Sequence, residues 1–188
     1  VIVLSILSVG YLTYRRFEQN TLEEVGNQLS VVAQMKSDEL VDYRKDRLGD
    51  ASVIFKNKAL SRMVRRSFAA PGDAEPRASL RSWLNSYKSF LHYDRVCLLD
   101  TRGAIRLSAP ASNEPLDALL AMRVTEVLRS RQPTLVDFYR NQSDQKIYLA
   151  VLIPILSVQD SARALGVIAL RIDPATYLYP LLQSWLTW

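Results

Sequence analysis

Apolar residues recur at three- and four-residue spacing from Phe17 to about Phe68, and this spacing predicts one long helix. The apolar positions are Leu22, Val25, Leu29, Val32, Met35, Leu40, Tyr43, Leu48, Ala51, Phe55 and Met63. No proline interrupts the segment, and a bend is expected at Gly49. The spacing in the first half suits pairing with a second helix. The second half is expected to pack against the domain that follows.

A loop rich in glycine and proline (residues 69–77) separates this helix from a short predicted helix at residues 80–87. From Arg95 the pattern changes to the alternation typical of strands. The predicted strands are residues 95–99, 104–108, 134–139, 147–156 and 166–172. The first two form a hairpin around a turn at residues 100–103, and a helix at residues 116–131 precedes the last three.

The strand at residues 147–156 is the most apolar, so we expect it to be central, with Pro154 near its end or beside a bulge. Asp173 and Pro174 are typical of the N-cap and first position of a helix, which is expected to run to Trp185. The predicted fold class is therefore α+β: a long N-terminal helix, then a five-stranded antiparallel sheet flanked by helices.

The first dozen residues are apolar and end at Tyr14, Arg15 and Arg16. A membrane-spanning helix needs about 20 apolar residues. The simplest interpretation is that residues 1–14 are part of a transmembrane helix, with the core of a signal peptide as the alternative.

The composition of the chain excludes several classes of function. The chain has 188 residues, 48% of them hydrophobic, and a net charge of +5. Its Lys and Arg residues are interleaved with Asp and Glu, which argues against a nucleic-acid partner. With one cysteine (Cys97) and one histidine (His92), the chain alone can assemble neither a disulfide nor a zinc site. It carries no phosphate-binding glycine loop and no nucleophile motif, so we expect no enzymatic activity and no cofactor.

The order of elements resembles that of the Cache family, PAS-like sensor modules found outside the membrane in bacterial histidine kinases, diguanylate cyclases and chemoreceptors. The resemblance is carried by a membrane helix leading into a long helix, by the hairpin segment Tyr93-Asp-Arg-Val-Cys-Leu-Leu-Asp-Thr-Arg-Gly103, and by the closing strand Gly166-Val-Ile-Ala-Leu-Arg-Ile-Asp173. It implies a membrane-anchored receptor, most often a sensor histidine kinase, that binds a small molecule in the periplasm.

The resemblance also implies a division of the chain. Residues 15–68 would be a signalling helix that forms a homodimer, and residues 69–176 would be the Cache module. Residues 177–188 would be a helix connecting the membrane-distal module of a double-Cache sensor to a proximal one. Such relatives often place a proline after the tryptophan of this helix, whereas here Leu186 follows Trp185.

A small-molecule site in such a fold lies over one face of the sheet, and strand alternation selects its candidates. Val167, Ala169 and Arg171 are expected to share one face of the last strand, and Tyr148, Ala150 and Leu152 are expected to share one face of the strand at residues 147–156. Asp137 and Tyr139 are expected to share one face of the strand at residues 134–139, and Arg106 and Ser108 to share one face of the second hairpin strand. The predicted ligand-binding residues are Arg106, Ser108, Asp137, Tyr139, Tyr148, Ala150 and Arg171. The alternative is an ion-paired strand position for each arginine and core packing for each tyrosine.

An arginine fork suits a carboxylate or phosphate. The amino-acid-binding branch of the family carries an Arg-x-Trp-Tyr motif and a later aspartate that holds the ligand amine. This sequence lacks the motif and has Arg171 near the position expected for the aspartate, so a small organic anion is preferred to an α-amino acid.

Two alternatives stay open. One is a structural or protein-interaction module whose pocket is filled by its own side chains. The other is a cytoplasmic PAS or GAF regulator, against which the apolar N-terminal stretch argues. A hollow face at Ala150, Ala169 and Arg171 would favour the ligand sensor over the interaction module.

Overall fold

The computed structural model describes residues 30–70, 72–176 and 178–183, the last three of these by backbone alone. The predicted membrane helix, the first part of the long helix and residues 184–188 lie outside the described residues. The chain divides into two compact units, Val1–Tyr43 and Arg44–Trp188. Within the described part of the chain, no helix is both long and apolar enough to cross a membrane.

Helix α1 comprises residues 30–55. In the first unit its apolar side chains Val31, Val32 and Met35 are exposed, whereas in the second unit Ala51 and Ile54 are fully buried. The expectation that the second half packs against the following domain is confirmed.

The prediction of one helix from residue 17 to residue 68 is wrong at one point: the helix stops before Asn57, and α2 (Lys58–Ala69) begins after it. The Leu60 backbone N–H donates to Asn57 Oδ1 at 3.0 Å. Asparagine favours this N-cap arrangement because its side chain satisfies an N–H that the first helical turn leaves without a partner. The interruption therefore falls at Asn57, while residue 49, where the bend was expected, lies within α1.

Helix α3 (Ala74–Phe90) is longer than the predicted helix at residues 80–87 and includes Pro76 in its first turn. Proline is tolerated there because the first N–H groups of a helix have no partner within it. Asp73 caps the helix by accepting a hydrogen bond from the Glu75 N–H at 3.1 Å. Leu80 and Leu84 of the predicted apolar stripe are buried.

The five predicted strands form a single antiparallel sheet, which confirms the α+β class. The strands are β1 (Arg95–Asp100), β2 (Ile105–Ala109), β3 (Thr134–Arg140), β4 (Ile147–Leu156) and β5 (Ala164–Ile172). Helix α4 (Ala118–Ser130) lies between β2 and β3 in the chain, and a 3-10 turn (Pro174–Thr176) and helix α5 (Leu178–Gln183) follow β5.

The strand order is β2-β1-β5-β4-β3, so β5 is central and the prediction that β4 is central is wrong. Strand β4 still has a neighbour on each side, which explains its apolar composition. Its pairing with β3 ends at Leu152, whereas its pairing with β5 continues past Pro154 to a register shift after Ile155. Pro154 therefore lies beyond the end of β3 and beside an irregularity, as expected for a residue without an N–H.

Helices α2 and α3 pack on one face of the sheet and α4 packs on the other. The α4 face is a buried cluster composed of Cys97, Leu99, Leu120, Val124, Val127, Val136, Tyr139, Tyr148, Ala150, Leu152, Val167 and Ala169. Gly166 of β5 lies against the backbone of β1, where an added Cβ would overlap the carbonyl oxygen of Leu99. Strands β1 and β5 therefore pair this closely only with glycine at position 166.

Candidate ligand-binding site

Two arginines lie directly opposite each other on the neighbouring strands β1 and β5: Arg95 is paired in register with Arg171. Like charges at such positions are destabilising unless other groups neutralise them. Here Asp94, which precedes β1, and Glu114, in the loop between β2 and α4, supply the carboxylates.

Arg171 contacts both carboxylates. Its Nε donates to Asp94 Oδ2 and its Nη1 to Glu114 Oε1, each at 2.6 Å, and its guanidinium lies 4.4 Å from the ring centre of Tyr148. The side chain is only 15% exposed. Burial alone would lower the pKa of Arg171, but the hydrogen bonds to Glu114 and Asp94 and their charges raise it above its ordinary value. The guanidinium therefore stays charged inside the domain.

The carboxylate of Glu114 is bound by three side chains from three segments. Oε1 accepts hydrogen bonds from Arg171 Nη1 and from Asn141 Nδ2 (2.9 Å), and Oε2 lies 3.2 Å from Arg95 Nη1. Burial acts to raise the pKa of Glu114, but the bonds from Arg171 and Asn141 and the two arginine charges lower it below its ordinary value. Glu114 is thus ionised at neutral pH and occupies the position in which the two guanidinium groups converge.

Two tyrosines and an aspartate border these charges. The rings of Tyr139 and Tyr148 lie 6.3 Å apart, and the Tyr148 hydroxyl donates to Asp144 Oδ2 at 2.7 Å. Burial raises the pKa of both phenols, and the bond to Asp144 raises that of Tyr148 further. Both hydroxyls therefore remain protonated at neutral pH and can act as hydrogen-bond donors.

Asp117 joins the loop over the site to the loop after β3. Its Oδ1 accepts from the Leu119 N–H at 2.9 Å, which caps α4, and its Oδ2 accepts from the Gln142 N–H at 3.1 Å. One side chain thus holds both the start of the helix and the segment that carries Asn141.

The space between the sheet, this loop and α4 is small. Its lining includes both arginines, Glu114, Tyr139 and Ala169, and its volume is about 20 Å³. That is room for about one water molecule, whereas sites for organic ligands measure roughly 300–1,000 Å³. The face at Ala150, Ala169 and Arg171 is therefore filled in this conformation.

Four of the seven predicted site residues lie together on the α4 face of the sheet: Tyr139, Tyr148, Ala150 and Arg171. Ser108 lies beside them, since its Oγ accepts a hydrogen bond from Arg95 Nε at 3.0 Å. Alternation along the strands identified these positions correctly, while their role as ligand contacts stays a prediction.

Arg106 and Asp137 are not part of this cluster, and a β-bulge explains each case. Leu98 pairs with Leu107 and Leu99 with Ile105, so Arg106 is the extra residue of a bulge and does not share the strand face of Ser108. A second shift between Val136 and Tyr139 leaves Asp137 exposed while its neighbours on either side of the bulge are buried. An extra residue in one strand reverses the faces that simple alternation assigns.

Arg106 instead pairs with Asp100 at 2.6 Å and is 57% exposed. It lines a separate cleft of about 340 Å³ together with Phe68, Arg77 and Leu165. The Asp100 carboxylate also accepts from the N–H groups of Arg102 and Ala104, as expected for the predicted turn, in which Gly103 has a φ of 79°.

Sequence reasoning missed Arg95, Asp94, Glu114 and Asn141. Arg95 had a usable signal, because alternation along β1 places it on the same face as Cys97 and Leu99. Glu114 and Asn141 lie in loops, where no periodicity indicates the direction of a side chain.

The fold defines a class: the described domain has the fold of the sensor and ligand-binding domains of a histidine kinase and of chemoreceptors. No family model matches the sequence, and no curated protein matches it either.

Among solved structures, the chain is similar to the sensor domain of the V. cholerae histidine kinase DctB, with 17% identity and a TM-score of 0.58 over 84% of this chain and 57% of that one. It is also similar to the ligand-binding domain of the Pseudomonas fluorescens chemoreceptor CtaA in complex with L-serine (15% identity, TM-score 0.55, 82% and 61% covered). A third is that of the Pseudomonas aeruginosa PAO1 amino acid chemoreceptor PctC with GABA (16%, 0.56, 80% and 64%). The chain spans less than two thirds of the length of each, and this level of identity shows a shared fold.

Proposed function

We propose that this chain is the extracytoplasmic small-molecule sensing part of a membrane-bound bacterial receptor, and that its ligand is a small organic anion bound over the α4 face of the sheet. The observation that carries the proposal is the pair of opposed arginines, Arg95 and Arg171, which together hold a carboxylate group. Converging guanidinium groups recognise carboxylates through charge-assisted hydrogen bonds.

The similar domains support a ligand of this kind. Those of CtaA and PctC hold L-serine and GABA, each of which carries a carboxylate. In this chain, Tyr148 stacks on Arg171 and Tyr139 lies beside it, so a ligand over the sheet would meet apolar rings as well as charges. A site that combines such surfaces with a few oriented polar groups is typical of small-molecule recognition.

The receptor context is proposed from the same resemblance. The proposed receptor is a sensor histidine kinase of the bacterial inner membrane, with this module in the periplasm and no catalysis within this chain. The apolar stretch at residues 1–14 supports the membrane anchor. The exposed apolar side chains of α1, including Val31, Val32 and Met35, support pairing of this helix in a homodimer. Ligand binding would then bias two arrangements of the helix pair, which requires that the ligand bind one arrangement more tightly.

The experiment is a thermal-shift screen of the full chain against small carboxylates, amino acids, amines and phosphates. A ligand that binds only the folded state raises the melting temperature. We expect a saturable shift with a carboxylate that is lost in Arg171→Ala and retained in Arg106→Ala, because Arg106 lies in the separate cleft. Equal loss in both variants, or no shift with any class, would contradict the proposal.

A second candidate is a protein-interaction module, and the volume of only about 20 Å³ over Ala169 favours it. An exposed apolar patch at Val53, Tyr87 and Phe90, with Phe90 83% exposed, offers a contact surface. Absence of any thermal shift would support this reading over the ligand sensor.

A further inference from the structure

Glu114 occupies the position that a ligand carboxylate would need. We propose that its side chain is a built-in occupant of the site, and that a carboxylate ligand binds by displacing it from Arg95, Asn141 and Arg171. The inference rests on the proposed function. It adds to that function which group fills the site before a ligand binds and how the site opens.

The contacts of Glu114 are those of a bound ligand. Side chains from β1, β5 and the loop after β3 converge on its two oxygens at 2.6–3.2 Å. All three belong to segments distant in the chain from Glu114, and each also bonds to another side chain: Ser108, Asp94 and Asp144, respectively. Another carboxylate placed there would make the same hydrogen bonds.

The position of Glu114 in the fold allows it to leave. It lies in the stretch between β2 and α4, where residues 110–117 form no helix or strand, and its side chain is 22% exposed. Glu114 lines this small space and also a wider, more open cleft of about 420 Å³ with Gly103, Ile105 and Pro115. The side chain can therefore turn toward solvent without disturbing the buried cluster.

Electrostatics explains why a carboxylate of the chain itself would lie between the two arginines before a ligand binds. Two buried guanidinium groups without a counter-charge would destabilise the domain strongly. Within the part of the chain that the structure describes, the Asp94 carboxylate bonds to Arg171 alone, so Glu114 is the carboxylate that contacts both arginines. Exchange of its carboxylate for that of a ligand leaves the number of buried charges unchanged.

The exchange has a measurable consequence for affinity. A ligand competes with Glu114, so its apparent affinity falls in proportion to the fraction of molecules in which the position is free. If Glu114 holds the position about 90% of the time, its removal raises the affinity for a carboxylate about tenfold.

The test compares the full wild-type chain with Glu114→Ala, using acetate as the probe. Sodium chloride at equal ionic strength and the neutral isostere acetamide are the reference solutes. We expect Glu114→Ala to melt below wild type, to bind acetate about tenfold more tightly and to recover melting temperature with acetate alone. Glu126→Ala is the matched control, because Glu126 is exposed on α4 and pairs with Arg123 on the surface.

Glu114→Gln keeps the test decisive if the alanine variant does not fold. It retains the side-chain volume but weakens the hold on the arginines, so acetate should again stabilise it more than wild type. If Glu114→Ala folds only in acetate, that rescue itself supports the inference.

The outcomes separate this inference from the proposed function. Equal binding of acetate or other small carboxylates by wild type and both Glu114 variants overturns the displacement and leaves the sensor function in place. Absence of carboxylate binding in all of them, including acetate in Glu114→Ala, overturns both.

Discussion

Replacement of Arg171 by methionine removes the charge at the centre of the site while keeping most of the apolar stem. Two charge-assisted hydrogen bonds at 2.6 Å and the stacking on Tyr148 are lost. Hydrogen bonds to charged groups contribute about 1.5–3 kcal/mol each, and a cation–π contact contributes roughly 0.5–2 kcal/mol. These are upper bounds for this site, since the carboxylates are not fully buried.

The carboxylates that remain reduce the loss. Glu114 keeps its contacts with Arg95 and Asn141, and Asp94 is 31% exposed and therefore partly solvated. We expect Arg171→Met to lower the free energy of unfolding at pH 7 by about 2–3 kcal/mol. For a chain of this length that corresponds to roughly 4–12 °C in melting temperature.

The same substitution should change the pH dependence of stability. The pKa of folded Glu114 is below its ordinary value of 4.5, so its ionised form stabilises the fold above that pH and this contribution is lost as the pH falls through the folded pKa. Without Arg171 the pKa of Glu114 moves back up, because that arginine supplies the main bond lowering it. The difference between wild type and variant should therefore be largest at neutral pH and shrink below pH 4.5.

The measurement is urea unfolding followed by circular dichroism at pH 7 and at several values below 4.5. Arg106→Met is the matched control, since Arg106 also pairs with an aspartate at 2.6 Å but is mostly exposed. An exposed pair of this kind contributes about 0.2–1 kcal/mol. A loss as large in the control, or a loss from Arg171→Met that is the same at all pH values, would refute the reasoning.

Three further predictions concern the packing of the domain and the proposed pairing of α1. Gly166→Ala should destabilise the domain by about 2–4 kcal/mol because the added Cβ would meet the β1 backbone. Gly49→Ala lies in a helix with open space around it and should stabilise the domain by about 0.5–1 kcal/mol. The melting temperatures of both variants test these changes, and a Gly166→Ala variant as stable as wild type would contradict the first. Cys97 is buried and burial raises its pKa, so a thiol reagent at pH 8 should modify it only when the domain unfolds, and rapid reaction in the native state would be inconsistent with this packing. Met35→Glu should weaken the proposed pairing of α1 in sedimentation experiments without lowering the melting temperature of the second unit, and an unchanged mass would argue against pairing there.

Local pattern predicted most of the sheet and half of the site. Strands β3, β4 and β5 begin and end within two residues of their predicted limits, because alternation and flanking turn residues are encoded in the segments themselves. The same alternation identified Tyr148, Ala150 and Arg171 as neighbours over the sheet. Where a strand is regular, its sequence is enough to assign its faces.

Alternation failed where a strand is irregular. The bulges beside Arg106 and Asp137 each shift the register by an amount that only the partner strand determines. The end of α1 before Asn57 likewise depended on a single cap that competes with an otherwise continuous helical pattern. In these places a bulge or a cap overrides the regular pattern of the surrounding residues.

The sequence by itself determined the class of fold and the face of the arginine on the last strand, because both follow from periodicity along the chain. Only the tertiary structure decided that β5 is central, that Arg95 stands opposite Arg171 and that Glu114 lies between them. The physical reason is that two like charges on neighbouring strands require a counter-charge. The carboxylate that contacts both arginines, Glu114, comes from a loop whose path depends on how it packs over the sheet.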